Sequence, residues 1–206
     1  MSQKITRAQV SLDELTITPG SACQGCGAAL AARLAFKALG PNTIRHGIPC
    51  CPDSSTATPR GGGGVFEGGG AALTGTWRAL KAKGITDVNV VGFFGDGGTY
   101  DIGLQGISAA AERNENVWVI TKDNEAYMNT GNQRSSSTPL YAMTSTTPVG
   151  SVTKGKQMGK KNIPMIFAAH HVPFVATASV GYPEDLIAKI EYGKTLYGFK
   201  MLIIQS

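Results

Sequence analysis

Asp87-Val88-Asn89-Val90-Val91-Gly92-Phe93-Phe94 runs straight into Gly95-Asp96-Gly97. A run rich in valine and phenylalanine, closed by glycine, predicts a buried strand. A second apolar run, Asn116-Val117-Trp118-Val119-Ile120-Thr121, leads into Asp123-Asn124-Glu125-Ala126-Tyr127-Met128-Asn129-Thr130-Gly131, with Asn124 28 positions after Asp96. Two parallel neighbouring strands would set a carboxylate and an amide oxygen side by side at their carboxyl ends, where open α/β sheets hold ligands. That pair, with glycines allowing close backbone approach, suits a hard cation such as Mg²⁺ that already carries a diphosphate. Alone, Gly95-Asp96-Gly97 is an ordinary strand-to-helix turn capped by aspartate. Its pairing with the second strand end gives it functional meaning. A nicotinamide-nucleotide fingerprint competes weakly: Gly61 to Gly64 follow no predicted strand, and Gly95-Asp96-Gly97-Gly98 lacks the third spaced glycine.

Working outward, the remaining elements alternate. Residues 1–20 read as an extended arm ending at Pro19-Gly20, and residues 21–206 as the ligand-binding domain. Leu30, Leu34 and Leu39 among alanines predict a helix over 28–39, stopped by Gly40-Pro41. A short strand is expected at 43–46, then turn residues from Pro52 to Gly70, a segment long enough to be functional. Helix 71–83, strand 87–94, helix 101–113 and strand 116–122 follow. A polar segment without periodicity fills 123–162; helix 163–169, strand 173–178, helix 183–196 and strand 200–204 close the order. This alternation implies an α/β fold, a mostly parallel β-sheet with helices on both faces. Only Gln205-Ser206 follow the last strand, so the expectation is a truncated sequence or a fold completed by more chain.

Composition limits the function classes. At 206 residues, 42% hydrophobic and 16% charged, the chain is globular and of a size for one core. The net charge of +5 is modest, and its one concentration is Lys154, Lys156, Lys160 and Lys161, a solvated loop or a patch for an acidic partner. Without aromatic interleaving or a DNA-reading motif, no nucleic-acid partner is expected. Met1 to Thr18 is too polar for a secretory leader and no apolar run could span a bilayer, so no membrane association and a cytoplasmic location are expected.

Four cysteines in a reducing compartment point to a metal or redox role. Cys23-Gln24-Gly25-Cys26 sets two thiols one turn apart, and Cys50-Cys51 returns 24 residues after Cys26. Zinc and an iron–sulfur cluster both fit this spacing. Adjacent cysteines rarely serve one small centre without strain, so three ligands are good and a fourth is missing.

Together, Cys23 to Gly27, Gly95 to Gly103, Asp123 to Ser135 and His170 to Ala178 cover most of the chain, and in them it resembles the thiamine-diphosphate-binding β subunit of the 2-oxoacid:ferredoxin oxidoreductases. The resemblance implies the thiamine-diphosphate-binding fold, with Mg²⁺ held by Asp96, Asn124 and the Ala126 carbonyl. It implies cofactor contacts from Gly97, Gly98, Met128 and Asn129, with Asn129 near the reactive carbon as the catalytic candidate. It further implies a [4Fe–4S] cluster on Cys23, Cys26 and a third cysteine, which falls on Cys51; Cys50 and Cys51 both count as cofactor-binding candidates. The family's fourth cysteine would lie past residue 206.

The implied activity is oxidative decarboxylation of a 2-oxoacid, pyruvate by default with oxalate as a further candidate, with electrons passed to ferredoxin and the acyl group usually to coenzyme A. The implied partners are an α subunit supplying the pyrimidine pocket and ferredoxin-like subunits of the same hetero-oligomer. Arg134 is a candidate for a substrate carboxylate. Glu67, Glu125, His170 and His171 are expected to be structural. The competing classes are a non-oxidative thiamine-diphosphate decarboxylase or carboligase, which has no use for Cys23 and Cys26, and a zinc-binding structural module.

Overall fold

Strand β3 (Asn89–Gly95) is buried at every position after its first, and β4 (Trp118–Asp123) along its whole length. Strands covered on both faces read as unbroken apolar runs, which is why these two were legible. The computed structural model describes residues 10–16, 22–51 and 61–206.

Around this pair the elements follow in the order α1 (Gly27–Leu39), β1 (Thr43–Gly47), β2 (Gly61–Gly63), α2 (Gly69–Ala82), β3, a π-helical turn (Gly97–Asp101), α3 (Leu104–Glu112) and β4. Then come β5 (Ala126–Tyr127), β6 (Gln133–Arg134), α4 (Ile163–Ala168), β7 (Phe174–Ser179), α5 (Pro183–Lys194) and β8 (Lys200–Gln205). Six strands form one sheet in the order β2-β1-β3-β4-β8-β7, every pairing parallel. The expected α/β architecture is therefore observed.

Alternation along the strands divides the core. Val91 and Phe93 of β3, Trp118 and Ile120 of β4, and Leu202 and Ile204 of β8 meet α1 and α5 on one face. Val90 and Phe94, Val119, and Met201 and Ile203 meet α2, α3 and α4 on the other. Each such large side chain, fully buried, contributes about 1.5–3 kcal/mol relative to exposure. Residues 10–16 of the arm lie on α1: Val10 and Leu15 pack against the first cluster, and Lys37 donates to the carbonyls of Ser11 and Asp13. The rest of the arm, and Pro52 to Arg60 of the long turn segment, lie outside the described residues.

Three expectations need correction. The glycines at 61–63 are not all turn: they pair in parallel with β1, so closely that a Cβ on Gly61 would sit 2.1 Å from the Arg45 carbonyl oxygen. Propensity disfavours such a strand and tertiary pairing imposes it. The predicted helix 101–113 begins as a π turn at Gly97, where Ile102 N–H reaches back to the Gly97 carbonyl, and the α-helix starts only at Leu104. The polar segment 123–162 contains the antiparallel hairpin β5–β6, two residues a side and too short to show a period.

Candidate functional site

Phe94 pairs with Thr121 and Gly95 with Lys122, so β3 and β4 end level with each other. Asp96 leaves the end of β3 and Asn124 the end of β4. A cleft of about 170 Å³ opens between them. Asp96, Gly97, Gly98, Asn124, Ala126, Met128 and Asn129 all line it, with Cys50 and Cys51 on its wall. Nine of the sequence-predicted positions thus converge on one cavity. Pro49, Phe66, Tyr127 and Thr130 line it as well and were not singled out. Tyr127 stands inside the quoted motif and Phe66 is an aromatic residue set among glycines, signals from which these two could have been found.

The donor set is oxygen. One amide atom of Asn124 lies 3.2 Å from Asp96 Oδ1 and 2.9 Å from the Ala126 carbonyl oxygen. With its nitrogen inward the amide bridges both oxygens. With its oxygen inward three acceptors face each other, an arrangement that only a cation between them makes favourable. The residues present therefore fit a hard divalent cation. Asp96 is 3% exposed, and burial pushes its carboxyl up to about 7, against the Ser135 hydrogen bond and helped by nearby Asp123. A buried carboxylate of this kind is costly unless a positive charge joins it.

Glycine keeps the floor open, most strictly at Gly97, where a rigid ring stands opposite. A Cβ on Gly97 would lie 2.1 Å from the Tyr127 ring, and one on Gly98 would lie 2.0 Å from Ile48 Cδ1. Tyr127 is fixed by donating its hydroxyl to Asp101 Oδ2 at 2.9 Å; burial, then this bond, holds its phenol above the ordinary value. Glu125 adopts φ +68°, which swings Ala126 toward Asp96. Met128 and Asn129 sit on the exposed turn between β5 and β6.

Residues 42–203 match the family model of the thiamine pyrophosphate enzyme C-terminal TPP-binding domain. The pyruvate synthase subunit PorB of Methanothermobacter thermautotrophicus is 49% identical over 194 residues, covering 90% of this chain and 67% of that protein. The chain belongs to the thiamine pyrophosphate enzymes, among the β subunits of the 2-oxoacid:ferredoxin oxidoreductases. The ketoisovalerate oxidoreductase subunit VorB of Pyrococcus furiosus is 42% identical over 205 residues, covering 93% of this chain and 66% of that protein. The chain spans about two thirds of the length of these relatives. In fold it is similar to a 2-oxoglutarate:ferredoxin oxidoreductase from Magnetococcus marinus, with TM-score 0.81, 24% identity, and 94% of this chain and 67% of that chain covered. The cleft occupies the carboxyl edge of this thiamine-pyrophosphate-binding sheet.

The cysteines gather on the same edge. Gly25 at φ +70° turns the chain so that Cys26 N–H bonds the Cys23 carbonyl, and Gly27 abuts Ser206 at the end of β8. Cys51 is held above the ordinary thiol value by burial first and then by Cys26, with Cys23 and Cys50 adding and Lys122 opposing. Among the described residues, no three His, Cys, Asp or Glu side chains close around a common metal position. The thiols are neighbours without forming a cage.

Other expectations fall out differently. Arg134 is exposed on β6 and does not line the cleft. The lysine-rich segment is largely solvated, Lys154 and Lys160 being exposed, yet three of its four lysines are tied to the fold. Lys156 is buried, donating to the carbonyls of Ser136 and Thr138; Lys160 pairs with Asp123 at 2.8 Å and Glu125 at 3.1 Å; Lys161 donates to the Tyr100 carbonyl. His170 lies against Phe167 with its Nε2 2.9 Å from Ser108 Oγ, and Glu125 is tied to Lys160. No described helix is long and apolar enough to cross a membrane.

Proposed function

We propose that this chain binds magnesium thiamine diphosphate in the β3–β4 cleft and serves the oxidative decarboxylation of a 2-oxoacid, pyruvate by default, with ferredoxin as electron acceptor. Acyl transfer to coenzyme A completes the reading. The observation that carries it is the convergence of Asp96 Oδ1, the Asn124 amide and the Ala126 carbonyl beside a glycine floor. Such an edge presents oxygen ligands to a cation and backbone to a diphosphate. Similarity to pyruvate synthase and ketoisovalerate oxidoreductase subunits supports the reaction class.

In this reading Asp96, Asn124 and the Ala126 carbonyl hold Mg²⁺, and Gly97 and Gly98 let the diphosphate approach the backbone. Bound thiamine diphosphate supplies a carbon nucleophile and an electron sink for decarboxylation. Asn129 offers its amide from the β5–β6 turn to the reacting end of the cleft, and Met128 and Phe66 give that end an apolar wall. No Glu lines the described cleft, so the carboxylate that activates the cofactor's pyrimidine ring comes from an α subunit, and the chain works in a hetero-oligomer. By the Cys-x-x-Cys spacing, Cys23, Cys26 and Cys51 would hold a [4Fe–4S] cluster, a one-electron acceptor, with a fourth ligand from elsewhere; among the described residues they do not close around a common metal position. Neither a carboligase nor a zinc module accounts for thiols and an oxygen site side by side.

Turnover by the assembly, purified anaerobically, of a panel of 2-oxoacids with a low-potential dye tests the reading. Dye reduction with at least one oxoacid is expected, and lost on replacing Cys23 by Ser. Carbon dioxide release without dye reduction would instead establish the non-oxidative class.

A further inference from the structure

Behind the oxygen site runs a buried chain of hydroxyls. Ser135, Ser137 and Thr138 are each 1% exposed or less, and so are unusually deep for a serine- and threonine-rich loop. Every hydroxyl has one proton, and the acceptors around these three fix where each proton goes. Ser135 Oγ donates to Asp96 Oδ2 at 2.5 Å; Ser137 Oγ donates to Asp123 Oδ1 at 2.5 Å; Thr138 Oγ1 donates to the Glu125 carbonyl at 2.5 Å. The main chain locks the three together, because Ser137 N–H donates to Ser135 Oγ and Ser135 N–H to Thr138 Oγ1. Asp123 is fully buried and anchors the far end: its Oδ1 also accepts from Glu125 N–H, and its Oδ2 from Tyr100 and Lys160. With both oxygens engaged, Asp123 cannot turn toward the cleft.

The consequence falls on Asp96. Its Oδ2 accepts from Ser135, which turns Oδ1 to Asn124, whose amide in turn meets the Ala126 carbonyl. Thr138 grips the carbonyl of Glu125, the residue immediately before Ala126, from the same loop. One four-residue clamp therefore reaches both sides of the oxygen set.

We propose that Ser135 to Thr138 is a positioning element that holds Asp96 as a one-oxygen ligand and so selects Mg²⁺ over larger cations. The inference rests on the magnesium-diphosphate reading of the cleft. Mg²⁺ demands six well-placed single oxygens, whereas Ca²⁺ accepts bidentate carboxylates and looser geometry. Freed from Ser135, Asp96 can offer both oxygens, which favours the larger ion. Hydrogen-bonding partners of metal ligands commonly set affinity by 10- to 100-fold.

The test is calorimetric titration of Mg²⁺, and separately of Ca²⁺, into the intact assembly at saturating thiamine diphosphate. Ser135→Ala is expected to weaken Mg²⁺ by about 10- to 100-fold and Ca²⁺ much less, so that the preference between the ions narrows. Ser137→Ala, which keeps the Ser135 hydroxyl but releases it from the Asp123 anchor, should move the preference the same way by less. Should Ser135→Ala fail to fold, Ser135→Cys keeps a small side chain with a much weaker donor and is expected to show the same narrowing. Equal weakening of both ions, or none, would overturn the clamp while leaving the cleft's function standing. Absence of any metal-linked cofactor binding in the unmodified assembly would overturn both.

Discussion

Asp96 owes its place to glycines on either side and its chemistry to burial. Its folded value of about 7 stands above the roughly 3.9 of an unfolded aspartate, so folding takes up a proton between those values. The stabilising contribution of this group in the metal-free protein is therefore full below about pH 4 and is lost as pH rises through about 7. Differential scanning calorimetry of the metal-free protein against Asp96→Asn, which does not titrate, checks this. The gap between the two should shift against the unmodified chain from pH 5 to pH 7.5, and Mg²⁺ with thiamine diphosphate should reverse that shift. A gap that moves the other way would show that burial does not govern Asp96. At the same scale, Cys23→Ser should abolish dye reduction while leaving magnesium-linked cofactor uptake within about twofold, because the thiols lie outside the oxygen set. Loss of cofactor uptake would show that the two sites are one.

Among elements, the crossing of α2 over α3 depends on a close backbone approach at Gly70. A Cβ on Gly70 would lie 2.2 Å from the Gly106 carbonyl carbon, a backbone atom with no freedom to yield. Gly70→Ala should therefore destabilise by about 1–3 kcal/mol, the ordinary cost of overpacking. Chemical denaturation measures it, and a neutral result would mean the helices can slide apart. Gly97→Ala strikes Tyr127 at 2.1 Å and should both destabilise and impair cofactor uptake. Pairing it with Tyr127→Leu should recover stability more than uptake, since the cleft wall is altered.

These elements also show what the sequence made legible. β3 and β4 were plain because burial on both faces leaves no polar residue to blur the pattern. Asp96 and Asn124 were plain because level strand ends turn fixed spacing into proximity. Glycines 61–63 gave no sign of β2, because a strand without side chains carries no period and is held by backbone bonds to β1 alone. Ser135, Ser137 and Asp123 looked like loop polarity, since nothing local shows that a hydroxyl is buried until the chain folds over it. The lysines were half legible for the same reason: Lys154 and Lys160 are exposed, but Lys156 is drawn inward by carbonyls and Lys160 is tied to a carboxylate 37 positions away.

For the whole molecule, two sets of side chains share the carboxyl edge of one parallel sheet: oxygens at β3 and β4, and thiols just before α1 and just after β1. Under the proposed function that adjacency would serve decarboxylation coupled to one-electron transfer, and a zinc module does not need it. Elemental analysis of the anaerobic assembly should find iron and acid-labile sulfide lost in near-equal amounts on Cys23→Ser, with zinc absent. Stoichiometric zinc would contradict the redox assignment. The most direct test of the account is calorimetry of thiamine diphosphate uptake by the intact assembly with and without Mg²⁺, for the unmodified chain and Asp96→Ala. The account predicts uptake that needs the metal and disappears with Asp96; metal-independent uptake, or normal binding by Asp96→Ala, would contradict it.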